Sequence, residues 1–283
     1  MAEPQHVSVI IPAFNEEEGI GSVVAAVLGG GSWREVLVVD DGSTDRTAER
    51  ARGAGARVVR HPYNKGNGAA VKTGVREATG DVVLFMDADG QHDPADALRI
   101  VAPVGVHDMV IGARSARDQD LVRALGNGIF KAVASWLTGR SIPDLTSGFR
   151  AARRDRLLEI LHLLPNGFSY PTTSCLAFLK AGHNVAFEPI RARPRVSASK
   201  VKVTRDGVRF LLIIFKIVTL YSPLKVFFPL SAAAFLLGAL YGVWNVHAYG
   251  KIPMGAALLI QLAVVVFLFG LISEQIASGQ ERK

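Results

Sequence analysis

The sequence predicts an α/β fold with a mostly parallel sheet, followed by a basic segment and two membrane-spanning helices. Short β-rich apolar runs alternate with helical patterns across roughly residues 5–190, an alternation typical of a parallel sheet covered on both faces. Charge is segregated, because Lys251 is the one charged residue in the stretch 226–273. This segregation explains how a chain of 283 residues, 20% of them charged, reaches a mean hydropathy of +0.26.

Five strands and four helices are predicted in the first part of the chain. The strands are predicted at residues 6–11, 35–40, 56–60, 81–86 and 108–112, and the helices at residues 16–28, 44–52, 68–78 and 94–101. Ligands of such sheets bind beyond the carboxyl ends of the strands. We therefore expect the functional residues at the strand ends.

Two stretches predict a transmembrane hairpin. Residues 226–244 and 252–273 form uncharged runs of 19 and 22 residues, and a spanning helix needs about 20. A pair of buried helices in a soluble core is the alternative. Aromatic residues near the hairpin turn favour a membrane interface: Tyr241, Trp244 and Tyr249.

Basic residues flank the two predicted spans. They lie before the first span and after the second, at Lys216, Lys225, Arg282 and Lys283. Because basic residues favour the cytoplasmic side, we expect an integral membrane protein with its main domain and both termini in the cytoplasm. Lys251, in the hairpin turn, counts against this orientation.

A basic segment precedes the first span. Residues 191–216 contain eight basic residues and one acidic residue, so this segment alone carries a charge equal to the net +7 of the chain. Next to an apolar tail, it predicts contact with anionic lipid headgroups or phosphates rather than nucleic acid. Residues 206–221 are expected to form a helix lying in the membrane interface, or else an amphipathic helix packed on the globular domain.

These features predict three regions: a globular domain at 1–200, a juxtamembrane helix at 201–223 and a hairpin with a short tail at 224–283. Cys175 is the one cysteine of the chain, which excludes a disulfide framework and a cysteine-based zinc site. The N-terminal sequence has no basic region followed by a long apolar run, so no cleavable signal peptide is expected.

Acidic residues follow three of the predicted strands. Glu16 follows the first strand, Asp40 and Asp41 close the second, and Asp87 and Asp89 close the fourth. Like charges at one edge of a sheet cost stability unless a cation or a donor-rich ligand relieves them. Mg²⁺ or Mn²⁺ binds through one or two carboxylates and completes its shell with phosphate oxygens and water.

Three nearby features are interpreted as structural. His61 and His92 are expected to be hydrogen-bonded loop residues rather than ligands. The glycines of Gly66-Asn67-Gly68 are expected to form a turn into a helix, since the spacing of a dinucleotide-binding motif is missing.

Six motifs in a fixed order carry a resemblance to a known family: PAFNEEE, VVDDGSTD, NKGNGAAVKTG, DADGQHD, GARS and DLTSGFR. With them, nearly the whole chain resembles family 2 glycosyltransferases of the dolichyl-phosphate mannose synthase type, and their relatives, the bacterial polyprenyl-phosphate glycosyltransferases. The resemblance implies a GT-A catalytic domain followed by an interfacial helix and two transmembrane helices. The motifs are specific for the family and do not identify the sugar.

The resemblance also implies roles for individual residues. The nucleotide-sugar would be bound by Pro12, Phe14, Glu16, Val39, Asp40, Asp41, Asp87, Ala88 and Arg114. The metal would be held by Asp89 and Gln91, and the catalytic residues would be Asp89, Asp144 and Arg114. The residues implied to bind the acceptor or a phosphate are Arg150, Arg195 and Lys200, of which Arg195 and Lys200 would either close over the pyrophosphate or hold the lipid phosphate. Ser197 stands where the relatives usually have glycine.

The reaction implied is an inverting, metal-dependent transfer of a single hexose from a GDP- or UDP-sugar to polyprenyl phosphate (undecaprenyl or dolichyl phosphate). Mg²⁺ or Mn²⁺ is the expected cofactor. Nucleotide-sugar, polyprenyl phosphate and membrane lipids are the expected partners, and self-association would cover lipid-facing surface. Since a phosphomonoester has its second pKa at about 6, the acceptor is largely ionised. Asp144 is therefore expected to orient the acceptor or its cation, and proton abstraction is not expected to be its chief role.

Two other functions are the alternatives to this reaction. A processive polysaccharide synthase would carry a Gln-x-x-Arg-Trp motif, but no tryptophan of this chain follows an arginine. An inactive membrane-tethered protein that binds a nucleotide-sugar or acts as a scaffold is the second alternative. The intact Asp87-Ala88-Asp89 motif argues against lost activity. Turnover that depends on Asp89 would distinguish the active enzyme from the inactive protein.

Overall fold

The computed structural model describes residues 6–90, 92–114, 128, 132, 135, 136, 139–167, 169–190 and 222–279. Contacts group the chain into two units, Met1–Val201 and Lys202–Lys283, each of which is described by itself. The helix expected at residues 206–221 lies outside the described residues.

Seven strands form one sheet within the described part of the first unit. They are β1 (Val7–Ala13), β2 (Glu35–Asp40), β3 (Arg57–Arg60), β4 (Val82–Phe85), β5 (Met109–Arg114), β6 (Arg150–Arg153) and β7 (Val185–Ile190). The order across the sheet is β3-β2-β1-β4-β6-β5-β7. All neighbouring strands are parallel except β6, which is antiparallel to both β4 and β5. The predicted α/β fold with a mostly parallel sheet is confirmed.

The first four described helices of this unit alternate with the strands, and the last two both lie between β6 and β7. They are α1 (Ile20–Gly30), α2 (Thr47–Gly53), α3 (Asn67–Glu77), α4 (Pro94–Val101), α5 (Arg154–Ile160) and α6 (Tyr170–Lys180), and the 3₁₀ turn Leu161–Leu163 follows α5. The core lies against β1, β2 and β4, whose side chains are almost all buried on both faces. Strand β3 is largely exposed because it forms an edge of the sheet.

Two strands were not among the five predicted. Strand β6 has the sequence RAAR, which has no apolar run longer than two residues, and β7 ends in Glu-Pro-Ile. Neither fits the continuous apolar pattern of a central parallel strand. Their positions come from tertiary pairing, because β6 fills the gap between β4 and β5.

The direction of the strands determines which residues share an edge of the sheet. Since β6 runs against both neighbours, β4 and β5 point the same way as β1 and β2. The carboxyl ends of β1, β2, β4 and β5 therefore lie at one edge, together with the first residue of β6. The motifs identified in the sequence lie directly next to these strand ends.

The second unit contains two long apolar helices, α7 (Leu224–Tyr249) and α8 (Met254–Gly279). By length and composition, Leu224–Tyr249 and Met254–Ala277 can each cross a membrane. Helix α7 extends beyond the predicted span 226–244 at both ends, whereas α8 begins two residues after the start of the predicted span 252–273 and extends beyond its end. The second helix starts at Met254, after Pro253, so the turn is four residues long.

Glycines let the two helices approach closely. A Cβ atom at Gly270 would lie 2.7 Å from the Cβ atom of Phe227, and one at Gly238 would lie 3.0 Å from side-chain atoms of Leu259 and Ile260. Small residues at helix contacts are typical of packing inside membranes.

A carboxylate ties the two helices together at the end away from the turn. Glu274 on α8 accepts a hydrogen bond of 3.0 Å from the backbone N–H of Leu224, the first residue of α7. The first N–H groups of a helix have no partner within the helix, and a negative charge near them is favourable. Glu274 therefore acts as an N-terminal cap supplied by the neighbouring helix.

Replacing Glu274 by leucine is expected to lower hairpin stability by about 1 kcal/mol, because the Leu224 N–H loses its acceptor. Glutamine at this position keeps an acceptor oxygen and is expected to retain part of that stability. Thermal unfolding in detergent measures both effects, with Gln275→Leu as the control on the exposed neighbour. Equal unfolding temperatures for the parent and Glu274→Leu would show that the cap contributes nothing.

Candidate active site

Two loops at the carboxyl edge are bonded to each other. The backbone N–H of Asn15, after β1, donates to Ser43 Oγ at 3.0 Å, and the N–H of Thr44, after β2, donates to Asn15 Oδ1 at 2.9 Å. Asn15 has a φ of 53°, a backbone conformation that asparagine tolerates better than most residues. These bonds hold the PAFNEEE and VVDDGSTD motifs in one arrangement.

Further hydrogen bonds at the acidic residues of these two motifs also join the two loops. The N–H of Glu16 donates to Thr47 Oγ1 at 2.9 Å, and the N–H of Glu17 donates to Asp45 Oδ2 at 3.2 Å. Burial by itself raises the pKa of Asp45, but hydrogen bonds from Thr47 and from backbone N–H groups outweigh it and lower the pKa. An ionised Asp45 thus joins the start of α2 to the first loop.

Asp40 and the residue before it lie beneath the surface of this edge. Val39 and Asp40 are fully buried. Asp40 Oδ1 accepts a hydrogen bond of 2.9 Å from the N–H of Ser43, and Oδ2 lies 3.0 Å from Arg60 Nε. Their side chains are therefore placed to support a binding surface from below.

Asp41 is also buried and bonded within the protein. Its carboxylate accepts from the N–H groups of Lys65 and Gly66 at 2.9 and 2.8 Å and lies 2.7 Å from His61 Nδ1. His61 Nε2 lies 2.9 Å from Thr73 Oγ1. The expectation that His61 is a hydrogen-bonded loop residue is confirmed, and the bond joins the ends of β2 and β3 to α3.

The turn expected at Gly66-Asn67-Gly68 is confirmed. Gly66 has a φ of 102° and directly precedes α3. A Cβ atom at Gly68 would collide with the carbonyl oxygen of Pro165. The N–H groups of Gly68 and Ala69 donate to backbone carbonyls of the 165–167 loop, so the start of α3 is bonded to protein.

More exposed side chains lie around these buried groups. Phe14 is 37% exposed, whereas Pro12 and Glu16 are half-buried. A cavity of about 660 Å³ opens beyond the ends of β2 and β3, and its lining includes Ser43 and Arg60. The edge of the sheet thus offers one exposed aromatic ring and a cavity with polar side chains in its lining.

The end of β4 carries the candidate metal site. Asp87 and Asp89 are partly exposed, and Ala88 between them is buried. Among the described residues, no three His, Cys, Asp or Glu side chains come together as a complete protein metal site. Two hard carboxylate donors still fit Mg²⁺ or Mn²⁺, which take much of their shell from phosphate and water. Gln91 lies outside the described residues.

His92 adjoins this motif as a structural residue. Its Nε2 atom lies 3.1 Å from Asp87 Oδ2, and its ring stacks on Phe149 with the centroids 4.7 Å apart. The expectation that His92 is a hydrogen-bonded loop residue is confirmed. The sequence did not indicate that His92 bonds to Asp87, which is one of the candidate site residues.

An ion pair links the end of β5 to the DLTSGFR motif. Arg114 donates from Nε to Asp144 Oδ2 at 2.8 Å, and a second, longer bond of 3.3 Å joins Nη2 to Oδ1. Asp144 also accepts from the N–H groups of Thr146 and Ser147. The Asp144 side chain is 2% exposed and that of Arg114 is 25% exposed. The pair therefore presents a partly exposed guanidinium above a buried carboxylate.

These contacts keep Asp144 ionised. Burial raises its pKa, but hydrogen bonds and the positive charge of Arg114 outweigh burial and hold the pKa below its ordinary value of 3.8. A carboxylate with a low pKa and several donors is a poor proton acceptor. The geometry therefore supports a positioning role for Asp144.

Arg150, at the start of β6, is fully buried. Its guanidinium donates to the carbonyl oxygens of Ser147 and Pro171 and to Ser174 Oγ. The side chain thus joins the DLTSGFR segment to α6 and has no exposed surface for an acceptor phosphate. Contact with that phosphate, as implied by the resemblance, would require these groups to move. Arg195 and Lys200 lie outside the described residues.

Cys175, which lies on α6, is buried. Burial raises the pKa of its thiol to about 11. A thiol with so high a pKa is not a nucleophile at neutral pH.

Comparison with known proteins assigns the chain to a family. Residues 8–161 match glycosyl transferase family 2, and this match covers more than half of the chain. The chain belongs to glycosyl transferase family 2. Residues 222–278 of this family 2 glycosyltransferase match the GtrB C-terminal hairpin, which corresponds to α7 and α8.

Curated relatives resemble this family 2 glycosyltransferase over most of their length. Glycosyltransferase AglJ of Haloferax volcanii is 30% identical, with 98% of this chain and 96% of the relative covered. The dolichyl-phosphate hexose transferase of the same organism is 32% identical, with 71% of this chain and 88% of the relative covered. The recognition of the family from its ordered motifs is confirmed.

Solved structures share the fold of most of this chain. Glucosyl-3-phosphoglycerate synthase from Mycobacterium tuberculosis, in complex with Mn²⁺, UDP-glucose and phosphoglyceric acid, matches with a TM-score of 0.59 and 26% identity. The match covers 74% of this chain and 79% of the synthase. Another structure of that synthase contains Mg²⁺ and UDP and matches with a TM-score of 0.60.

Proposed function

We propose that this family 2 glycosyltransferase moves a single hexose from a nucleoside-diphosphate sugar to polyprenyl phosphate with inversion at the anomeric carbon. The observation that carries the proposal is the arrangement of charged residues at one edge of the sheet. Asp87 and Asp89 follow β4, and Arg114, the last residue of β5, pairs with Asp144. The named activity of the dolichyl-phosphate hexose transferase relative supports the acceptor class.

In the proposed reaction, a phosphate oxygen of the acceptor forms a bond to the anomeric carbon while the bond from that carbon to the diphosphate breaks. The acceptor phosphate is already largely ionised at neutral pH, so it needs no strong general base. Binding and orientation of the two substrates are therefore the main tasks of the protein.

Asp89 and Gln91 would hold a Mg²⁺ or Mn²⁺ ion, with Asp87 facing the nucleotide. When bound, the ion stabilises negative charge that develops on the leaving diphosphate. The metal-bound complexes of the mycobacterial synthase support this cofactor class.

Arg114 would contact the donor phosphate or the sugar. Its guanidinium is partly exposed and is held by Asp144 and Thr146. A guanidinium held at two sides is positioned in advance, so little freedom is lost when an anion binds. Phe14 and Pro12, on the adjacent loop, would line the nucleoside pocket.

The hairpin would place the reaction at the membrane, where a polyprenyl chain resides. We propose an integral membrane protein whose catalytic domain and termini are cytoplasmic. Arg195 and Lys200 would bind the lipid phosphate. A reporter fused after residue 283 is expected to be active only in the cytoplasm, and activity on the opposite side would contradict the orientation.

The proposed reaction is tested with purified protein in detergent, polyprenyl phosphate, Mg²⁺ or Mn²⁺, and a panel of radiolabelled UDP- and GDP-sugars. A labelled lipid that forms only with metal is the expected result, and the donor that is consumed identifies the nucleotide and sugar. Nucleotide binding without a labelled lipid would favour the inactive tethered protein. Transfer to water or to a growing polysaccharide would contradict polyprenyl phosphate as the acceptor.

A further inference from the structure

Gly148 lies opposite Asp87 because of the register between two strands. Strands β4 and β6 are antiparallel, with Phe85 paired to Arg150. Asp87 lies two residues after Phe85, and Gly148 lies two residues before Arg150. Because the strands are antiparallel, the same register places Asp87 opposite Gly148. The two residues belong to the DADGQHD and DLTSGFR motifs, which are far apart in sequence.

The carboxylate of Asp87 occupies the space that a side chain at Gly148 would need. A Cβ atom at Gly148 would lie 2.9 Å from Asp87 Oδ2 and 3.0 Å from Oδ1. Both distances are shorter than ordinary contacts between carbon and oxygen atoms. Any larger residue at position 148 therefore displaces the Asp87 carboxylate.

The residue after Gly148 constrains the same carboxylate through an imidazole. Phe149 stacks on the His92 ring at an interplanar angle of 16°, and His92 Nε2 lies 3.1 Å from Asp87 Oδ2. The His92 side chain is 4% exposed, whereas that of Asp87 is 38% exposed. The carboxylate thus has a buried partner on one side and an open face on the other.

We propose that Gly148, Phe149 and His92 are positioning residues that hold the Asp87 carboxylate in the orientation that binds the nucleotide-sugar. Gly148 leaves room for the carboxylate, and Phe149 fixes the ring that bonds to it. The DLTSGFR segment then organises two parts of the site, since Asp144 in the same segment holds Arg114. The inference rests on the proposed function, because it assumes that Asp87 faces the nucleotide.

The test measures binding of UDP and GDP by calorimetry in the presence of Mn²⁺, together with thermal unfolding and turnover. For Gly148→Ala, we expect about tenfold weaker nucleotide binding, as for the loss of one hydrogen bond to a charged group. Turnover is expected to fall about 10²-fold, because small displacements in a site have large effects on rate. Gly29→Ala is the matched control, since a Cβ atom at exposed Gly29 meets nothing within 4 Å.

An Asp87→Ala background separates positioning from general damage to the fold. If Gly148 acts through the Asp87 carboxylate, Gly148→Ala causes no further loss of nucleotide binding once that carboxylate is gone. If Gly148→Ala weakens nucleotide binding by the same factor in the Asp87→Ala background as in the parent, the proposal is overturned. Nucleotide binding by Gly148→Ala that matches the parent would also overturn it.

His92 provides a second test if Gly148→Ala does not fold. His92→Phe keeps an aromatic ring against Phe149 and removes the bond to Asp87, so about tenfold weaker nucleotide binding is expected. His92→Gln keeps a donor and is expected to recover part of the affinity. Parent-like binding by His92→Phe would overturn the proposal, whereas a parent that binds no nucleotide would contradict the proposed function itself.

Discussion

Replacing Asp89 by alanine is expected to lower the turnover of sugar transfer about 10³-fold, because the carboxylate proposed to hold the divalent ion is lost. Formation of labelled polyprenyl-phosphate sugar at saturating Mg²⁺ or Mn²⁺ measures the effect. Mn²⁺-dependent nucleotide binding is expected to weaken in the same variant. Asp89 is partly exposed at the end of β4.

Asp155→Ala is the matched control for this loss. Asp155 is an aspartate in the first turn of α5, where it pairs with Arg153 at 2.6 Å, with both side chains substantially exposed. It follows the carboxyl end of β6, which lies at the opposite edge of the sheet from the candidate site. Parent-like turnover is expected for the control. Turnover of Asp89→Ala within tenfold of the parent would contradict the role of Asp89.

Replacing Asp144 by alanine is expected to lower the free energy of unfolding by about 3–5 kcal/mol, because it leaves a partly buried charge without its partner. Arg114 loses its carboxylate, and the N–H groups of Thr146 and Ser147 lose their acceptor. Thermal or denaturant unfolding measures the change. Asp155→Ala, which breaks an exposed pair, is expected to cost at most about 1 kcal/mol. Similar losses for the two variants would contradict the structural importance of the Arg114–Asp144 pair.

The dependence of the rate on pH tests the chemical role of Asp144. Its folded pKa lies below the ordinary 3.8, so the ion pair stabilises the fold above that value. The stabilisation is lost as the pH falls through the folded pKa. Across about pH 5 to 8 Asp144 stays ionised, and no acidic limb of the pH–rate profile is expected to depend on it. If an acidic limb of the parent disappears in Asp144→Asn, Asp144 abstracts a proton and the positioning role is wrong.

Much of the fold could be predicted because its features are local in sequence. Apolar runs that end in polar residues identified five strands of the sheet, and long uncharged runs identified α7 and α8. The same strand ends identified Asp87 and Asp89 as candidate ligands. Each of these inferences depends on periodicity or composition within some 20 residues, which the sequence displays directly.

The remaining features depend on contacts between distant residues. The sequence did not predict β6, yet the register of β6 against β4 places Gly148 against Asp87 and buries Arg150. It also did not predict that Arg114 and Asp144, which are 30 residues apart, form an ion pair.

Local patterns in the sequence were therefore sufficient to predict the fold class and the family and to identify candidate site residues. The tertiary structure alone decided which of these side chains are exposed at the edge of the sheet and which are buried beneath it. Asp40, Asp41 and Asp87 look alike in sequence, but the first two are buried and bonded within the protein, whereas Asp87 is partly exposed. The physical reason is that burial and hydrogen bonding depend on how the strands and loops pack together, and packing joins residues that local sequence patterns do not connect.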